Sequence, residues 1–276
     1  MKPTAVTHVV IPDTQAKLGV PTDHLKWIGQ YLVDEFRDKP VKVIHLGDHA
    51  DMPSLSMYDK GKRSMEGRRY QADIEEANRA WAILNQAIVD LNKTRLRTHH
   101  AQWKPERYIL LGNHEDRINR VVEMDAQLEG VVSTDHLDYE RSGWDVTPFK
   151  EVLWLDGVAY SHFFYNPMTG KPFGGNTESR LKTIGHSFTM GHQQTLMYSI
   201  RFVAGKSQHA LVAGSCYLHD EDYKGPQGNA HWRGIIVKHE VRDGSYDPMF
   251  VSLDYLCRRY EGISLDRFME KKYPLL

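Results

Sequence analysis

Short apolar runs recur along the chain, and four of them end in polar clusters. Val9-Val10-Ile11 runs into Pro12-Asp13-Thr14-Gln15, and Val41 to Leu46 runs into Gly47-Asp48-His49-Ala50-Asp51. Tyr108 to Leu111 runs into Gly112-Asn113-His114-Glu115-Asp116-Arg117, and Ser187 to Met190 runs into Gly191-His192-Gln193-Gln194. An apolar run bounded by turn residues reads as a buried strand. Helical stretches separate these runs, so the pattern predicts one polar centre at one edge of a sheet.

The intervening residues predict the helices. Leu25, Ile28, Leu32 and Phe36 recur at helical spacing, with Thr22 as N-cap, Asp23 in the first turn and Lys39-Pro40 as the stop. Strand, helix, strand in that order implies a parallel pair. Residues 52–69, with Pro53, Gly61 and Gly67, read as a loop. From Tyr70 a stripe of Ile74, Ala77, Trp81, Leu84, Ile88 and Leu91 predicts a long helix, with Trp81 in the core. A short helix follows from Glu115 to Met124. After Gly143 the texture becomes mainly β, with short strands expected at 144–146, 152–155, 158–162, 210–213, 235–238 and 249–253. One α/β domain over 1–276, built on two packed sheets, is the simplest assembly. Residues from about 205 form an accessory segment beyond the polar endings.

Composition narrows the class without deciding it. The 276 residues carry a formal net charge of -1, so no global field draws the chain to nucleic acid or membrane. The fifteen histidines suit metal or proton chemistry. Cys216 and Cys257 lack zinc spacing and make no disulfide framework, so a reducing cytoplasm is the expected compartment. No signal-like or membrane-spanning apolar stretch is present in this sequence.

Asp13, Asp48, Asn113, His162 and His192 fall at or near strand ends. Carboxylate oxygen, amide oxygen and imidazole nitrogen together suit Mn²⁺, Fe²⁺ or Zn²⁺. Two such ions about 3.5–4 Å apart need a shared carboxylate, for which Asp48 is the candidate, and would clamp an in-line phosphoryl displacement by a metal-bound hydroxide.

In this order, Asp13-Thr14-Gln15, Gly47 to Asp51, Gly112 to Glu115, His162 and Gly191 to Gln194 resemble the motifs of the calcineurin-like metallophosphoesterase superfamily. The likeness is nearest to the phosphoesterases predicted in tailed bacteriophages, which would make the compartment the host cytoplasm. The resemblance implies a four-layer α/β/β/α sandwich and two divalent metal ions. It gives Asp48 as the bridge, Asn113, His162 and His192 as the second site, and Asp13, Gln15 and Gln194 as the first. It makes His114 the catalytic acid or charge stabiliser, oriented by Asp51, with Glu115 structural. Arg117 would contact a phosphate oxygen or pair with Asp116.

This chain departs from the family where two first-site imidazoles are commonly placed, at Gln15 and Gln194. Amide oxygens are harder, weaker donors, so Mn²⁺ or Mg²⁺ is expected there over Zn²⁺. The site would then be dinuclear, or filled together with substrate, or reduced to one metal. His49 is a stand-in ligand or a non-ligand, and His186 offers a rival to His192.

Two segments are expected to shape a substrate pocket. Lys60, Lys62, Arg63, Arg68 and Arg69 lie between Tyr58 and Tyr70, a pattern that suits a nucleic-acid backbone. The stretch from Cys216 to Gly234 brings His219 and His231 as lid, base or sugar contacts, or as a subunit contact. The leading expectation is a phosphodiesterase acting on DNA, RNA or a nucleotide. The alternatives are a phosphomonoesterase, including a phosphoprotein phosphatase, and a non-catalytic phosphate- or nucleic-acid-binding protein with a decayed first site.

Overall fold

The computed structural model describes residues 6–221 and 224–274. Two mixed sheets flanked by helices form an α/β sandwich. In the first sheet β1 (Val6–Ile11), β2 (Val41–His45), β3 (Glu106–Leu110) and β4 (Asp145–Thr147) lie side by side and parallel. Antiparallel β10 (Gly234–Arg242) and β11 (Ser245–Ser252) extend it beyond β1. The second sheet runs in the order β5 (Leu153–Leu155), β6 (Val158–Ser161), β7 (Phe188–Met190), β9 (Lys206–Ala213), β8 (Leu196–Val203). Its β6, β7 and β9 are parallel, and its two edge strands antiparallel.

Alternation along each strand separates three apolar clusters, because successive side chains point to opposite faces. Val9 and Ile11 of β1 enter the cluster under the helices, while Val10 between them enters the cluster between the sheets. Ile235 and Val237 of β10 divide from Ile236 in the same way. On β9, Leu211 and Ala213 face the sheet interface, whereas Ala210 and Val212 face outward to Leu181 and Phe188. The layers are therefore helix, sheet, sheet, helix.

Helix α1 (Asp23–Phe36) packs against α2 (Tyr70–Arg97) over the six-stranded sheet. Trp81 of α2 is core, its ring centroid 4.7 Å from Tyr139 and 4.6 Å from Trp144. Thr22 precedes α1 but its side chain does not cap it; the hydroxyl instead lies 3.2 Å from Arg79 Nη2. Helix α3 (Asp116–Met124) follows β3, and α4 (Thr177–Ile184) covers the five-stranded sheet.

The part after Gly143 is less purely β than the sequence pattern suggests. Besides α4 it holds α5 (Gly225–Asn229), α6 (Leu253–Glu261) and α7 (Leu265–Lys272). The last two bury few residues, among them Leu253, Leu256, Cys257 and Phe268, so their apolar stripes are short. Their N-caps carry the stronger signal: Ser252 and Ser264 accept from Tyr255 N and Arg267 N. Residues from about 205 onward supply β9, β10 and β11, so that stretch is woven into both sheets. Cys216 and Cys257 are free and buried. No helix among the described residues is long and apolar enough to cross a membrane.

Candidate metal centre

β1, β2 and β3 are adjacent and parallel, so the loops after Ile11, His45 and Leu110 leave one edge of their sheet. The loops after the parallel strands β6 and β7 leave the corresponding edge of the other. Hydrogen bonds join the two edges. His162 Nδ1 donates to Leu46 O at 2.8 Å, His192 N to Asp13 Oδ1 at 3.2 Å, and Cys216 N to Asp13 O at 2.8 Å.

Asp48, His162 and His192 each present a ligand atom, all within 4.8 Å of one another. Asn113 completes the group: its Oδ1 lies 3.0 Å from His162 Nε2 and 2.8 Å from His192 Nδ1. A carbonyl can only accept, so Leu46 fixes the proton on His162 Nδ1 and turns Nε2 toward Asp48 and Asn113. Four atoms of the right chemistry thus converge, and this set fits a divalent ion.

The backbone is bent to make this possible. Gln15, Asp48, His192 and Gln194 all have positive φ, a conformation costly for residues with a Cβ and concentrated at functional sites. Two motif glycines are explained by space. A Cβ on Gly112 would lie 2.1 Å from Asp48 Oδ1, and one on Gly191 2.5 Å from Asp13 Oδ1. Glu115 is buried and structural in its contacts. It accepts from the backbone N–H groups of Asp48, Ala50 and Gly112, each at 2.9 Å, and so ties two site loops together.

Two buried carboxylates share this site with the imidazoles. Burial alone would pull the His162 imidazole down; Asp48 and Asp13 outweigh it and hold the group up at about 9. Asp48 is raised by burial but lowered further by His114 and His162, and stays ionised. Burial and the Asp48 charge push Asp13 up. Crowded carboxylates in a dry site favour whatever positive charge can be placed among them.

The donors implied for a first metal divide. Asp13 Oδ2 and Gln15 Oε1 are buried with no hydrogen-bond partner among the described residues, which fits a further cation; Gln15 Nε2 is likewise unpartnered, and a cation would not satisfy it. Gln194 differs: its Oε1 accepts from the Tyr217 hydroxyl at 2.9 Å and from the Lys224 ammonium.

His114 stands beside the cluster. Its backbone N–H donates to Asp48 Oδ1 at 2.9 Å, and its Nδ1 meets Asp51 Oδ1 at 2.7 Å. Burial lowers the imidazole, but Asp48 and Asp51 overcome this and raise it. Arg117 does not pair with Asp116, which lies 3.3 Å from Arg120 Nε. Arg117 donates to Asp51 O at 2.7 Å and approaches His114 Nε2 at 3.2 Å.

Other expected residues sit apart. His49 is core: its ring nitrogens meet Thr14 Oγ1 at 2.7 Å and Ala77 O at 3.0 Å. His186 precedes β7, at the end opposite His192, and packs on Trp154. Arg68 is held by Asp59 and Pro53 O, while Arg63 and Arg69 are exposed. His219 is buried against Glu221 at 2.8 Å, and His231 Nε2 lies 2.8 Å from Ser215 Oγ. Sequence reasoning missed Lys17, which spans Asp51 at 3.0 Å and Glu221 at 2.8 Å. It also missed Tyr217 and Lys224, whose only signal was the polar, aromatic texture of their segment. No protein-family model and no curated protein matches this chain.

Proposed function

We propose that the chain is a metal-dependent phosphoesterase, of the calcineurin-like metallophosphoesterase type, that hydrolyses a phosphodiester. The observation that carries this is the convergence of Asp48, Asn113, His162 and His192 beside an Asp51–His114 pair. A metal-binding module needs the first four residues but has less use for the pair.

Asp48, Asn113, His162 and His192 hold the ion, for which Mn²⁺ suits the donor set. When bound there, a divalent ion would supply positive charge to phosphoryl oxygens and acidify water. Asp51 accepts a hydrogen bond from His114 Nδ1–H, which fixes the ring and favours its protonated form, and the Nε2–H of that form is the proton for the departing oxygen. Arg117 stands 3.2 Å from that nitrogen as a donor, so when Nε2 carries the proton the guanidinium turns to phosphoryl oxygen, where negative charge develops.

A diester is favoured over a monoester by the loop after Asp51. Tyr58 is 84% exposed, and Lys60, Lys62, Arg63 and Arg69 stand in solvent near it. Exposed cations interleaved with an aromatic suit a nucleic-acid strand. The test is turnover of bis-para-nitrophenyl phosphate against para-nitrophenyl phosphate in Mn²⁺. Faster cleavage of the diester is expected; preference for the monoester would reassign the substrate, and no turnover of either would refute an enzyme.

A further inference from the structure

One donor expected of a first metal, Gln194, carries a positive group that belongs to the chain itself. Lys224 points its ammonium at Gln194 Oε1 and lies 3.0 Å from the Tyr217 hydroxyl, which in turn donates to the same amide oxygen at 2.9 Å. A side-chain carbonyl oxygen has two lone pairs, and here both are engaged. The ammonium lies 5.7 Å from the Tyr217 ring centroid, so the ring also favours the cation. Burial pulls the Lys224 ammonium down, and the Asp13 charge acts against that.

Resting on the metal centre proposed above, we propose that Lys224 decides how many metal ions the chain holds. Its ammonium occupies the Gln194 oxygen and the charge of the first position. One divalent ion therefore binds at Asp48, Asn113, His162 and His192, and a second enters only against Lys224. Two consequences of the geometry support this. A second ion would have to displace the ammonium from Gln194, and it would meet that like charge close by. Asp13 and Gln15 retain unpartnered donor atoms, so removing the ammonium leaves a usable donor set.

The test counts metal directly. The full-length protein is dialysed against graded Mn²⁺, and bound metal per chain is measured by elemental analysis. The unsubstituted protein should take up one Mn²⁺, with any second requiring at least tenfold more free metal. Lys224→Met and Lys224→Gln should both bind two, the second at least tenfold more tightly than in the unsubstituted protein. Lys224 is on a partly exposed segment, and two substitutions of different polarity separate loss of charge from local disturbance. Two ions of equal affinity in the unsubstituted protein would overturn the proposal while leaving the metal centre standing. So would an isotherm that neither substitution moves. No Mn²⁺ on any of the three proteins would overturn both the proposal and the metal centre beneath it.

Discussion

Gly112→Ala tests the site architecture without assuming any activity. Gly112 has no positive φ, so space alone requires glycine there. An added Cβ would lie 2.1 Å from Asp48 Oδ1, 2.5 Å from Asp48 N and 2.8 Å from Asp48 Cγ. Ordinary contact begins near 3.4 Å, so the carboxylate must retreat by about 1.3 Å. Rotation of Asp48 cannot relieve this, because its backbone nitrogen is also too near. Overpacking of this kind costs about 1–3 kcal/mol. The retreat also breaks the 2.9 Å bond from His114 N to Asp48 Oδ1, a charge-assisted bond of about 1.5–3 kcal/mol. Together these amount to about 2.5–6 kcal/mol, or a fall in Tm of roughly 4–10 °C for a chain of this size. Thermal unfolding by circular dichroism measures the first effect, and Mn²⁺ titration should show weaker binding. Gly174→Ala is the control: no atom lies within 4 Å of its added Cβ and its φ is not positive. If Gly112→Ala melts within a degree of Gly174→Ala and binds Mn²⁺ equally well, the reasoning about this loop fails.

Three further outcomes are expected. Asp48→Asn should lose Mn²⁺ and turnover together, since Asp48 is the anionic member of the cluster; metal retained with activity lost would move Asp48 from ligand to catalyst. His114→Ala should keep Mn²⁺ while slowing turnover about 10²–10⁴-fold, the range for a lost general acid; loss of metal would reassign it. The pH dependence of stability should be steep on the acid side. His24 is pulled down to about 3 by burial, with His219 adding to it, and burial brings His49 down to about 4. The unfolded chain therefore binds more protons below about 6.5, so stability is full above that pH and falls as pH drops toward the folded values. Replacing His24 by Leu should remove up to one proton from that slope; an unchanged slope in denaturant titrations between pH 6.5 and 4 would show that His24 is not buried neutral.

What the residue pattern made legible is what repeats locally. The buried strands β1, β2, β3 and β7 read as apolar runs; the endings of β2, β3 and β7 hold Asp48, Asn113 and His192, and His162 stands at the end of the strand expected at 158–162. The Asp51–His114 pair was also within reach, because both lie a few residues past strand ends. Contacts between residues far apart in sequence and outside those endings were not. Lys17 reaches Glu221 across more than two hundred positions, and nothing near Lys17 announces a partner. Strand β8 was missed because it is an edge strand: Ile200 and Phe202 lie exposed, so its residues do not divide into buried and polar faces. Arg117 could not be assigned between phosphate and Asp116, because the sequence does not reveal that Asp51 O and Met52 O converge on its guanidinium.

The site is made by two sheets, and that has a measurable consequence. Asp48 and Asn113 leave β2 and β3, while His162 and His192 leave β6 and β7. Between the sheets lie apolar packing such as Val10, Ile44 and Leu110 against Tyr160 and Leu211, and buried polar contacts, with His8 Nδ1 2.7 Å and Lys238 Nζ 3.0 Å from the Tyr160 hydroxyl. An ion held by all four donors would pin both sheets at one edge. At free Mn²⁺ a hundredfold above Kd the folded state gains about 2.7 kcal/mol. Because opening either loop would forfeit that gain, amide exchange should slow in both sets of loops at once. The readout is hydrogen–deuterium exchange of residues 46–51 and 111–115 on one side and 162–164 and 191–194 on the other, with and without Mn²⁺. Slowing confined to the β2 and β3 loops would mean that the ion is held by one sheet alone, and the bridging geometry would be wrong even if Mn²⁺ binds.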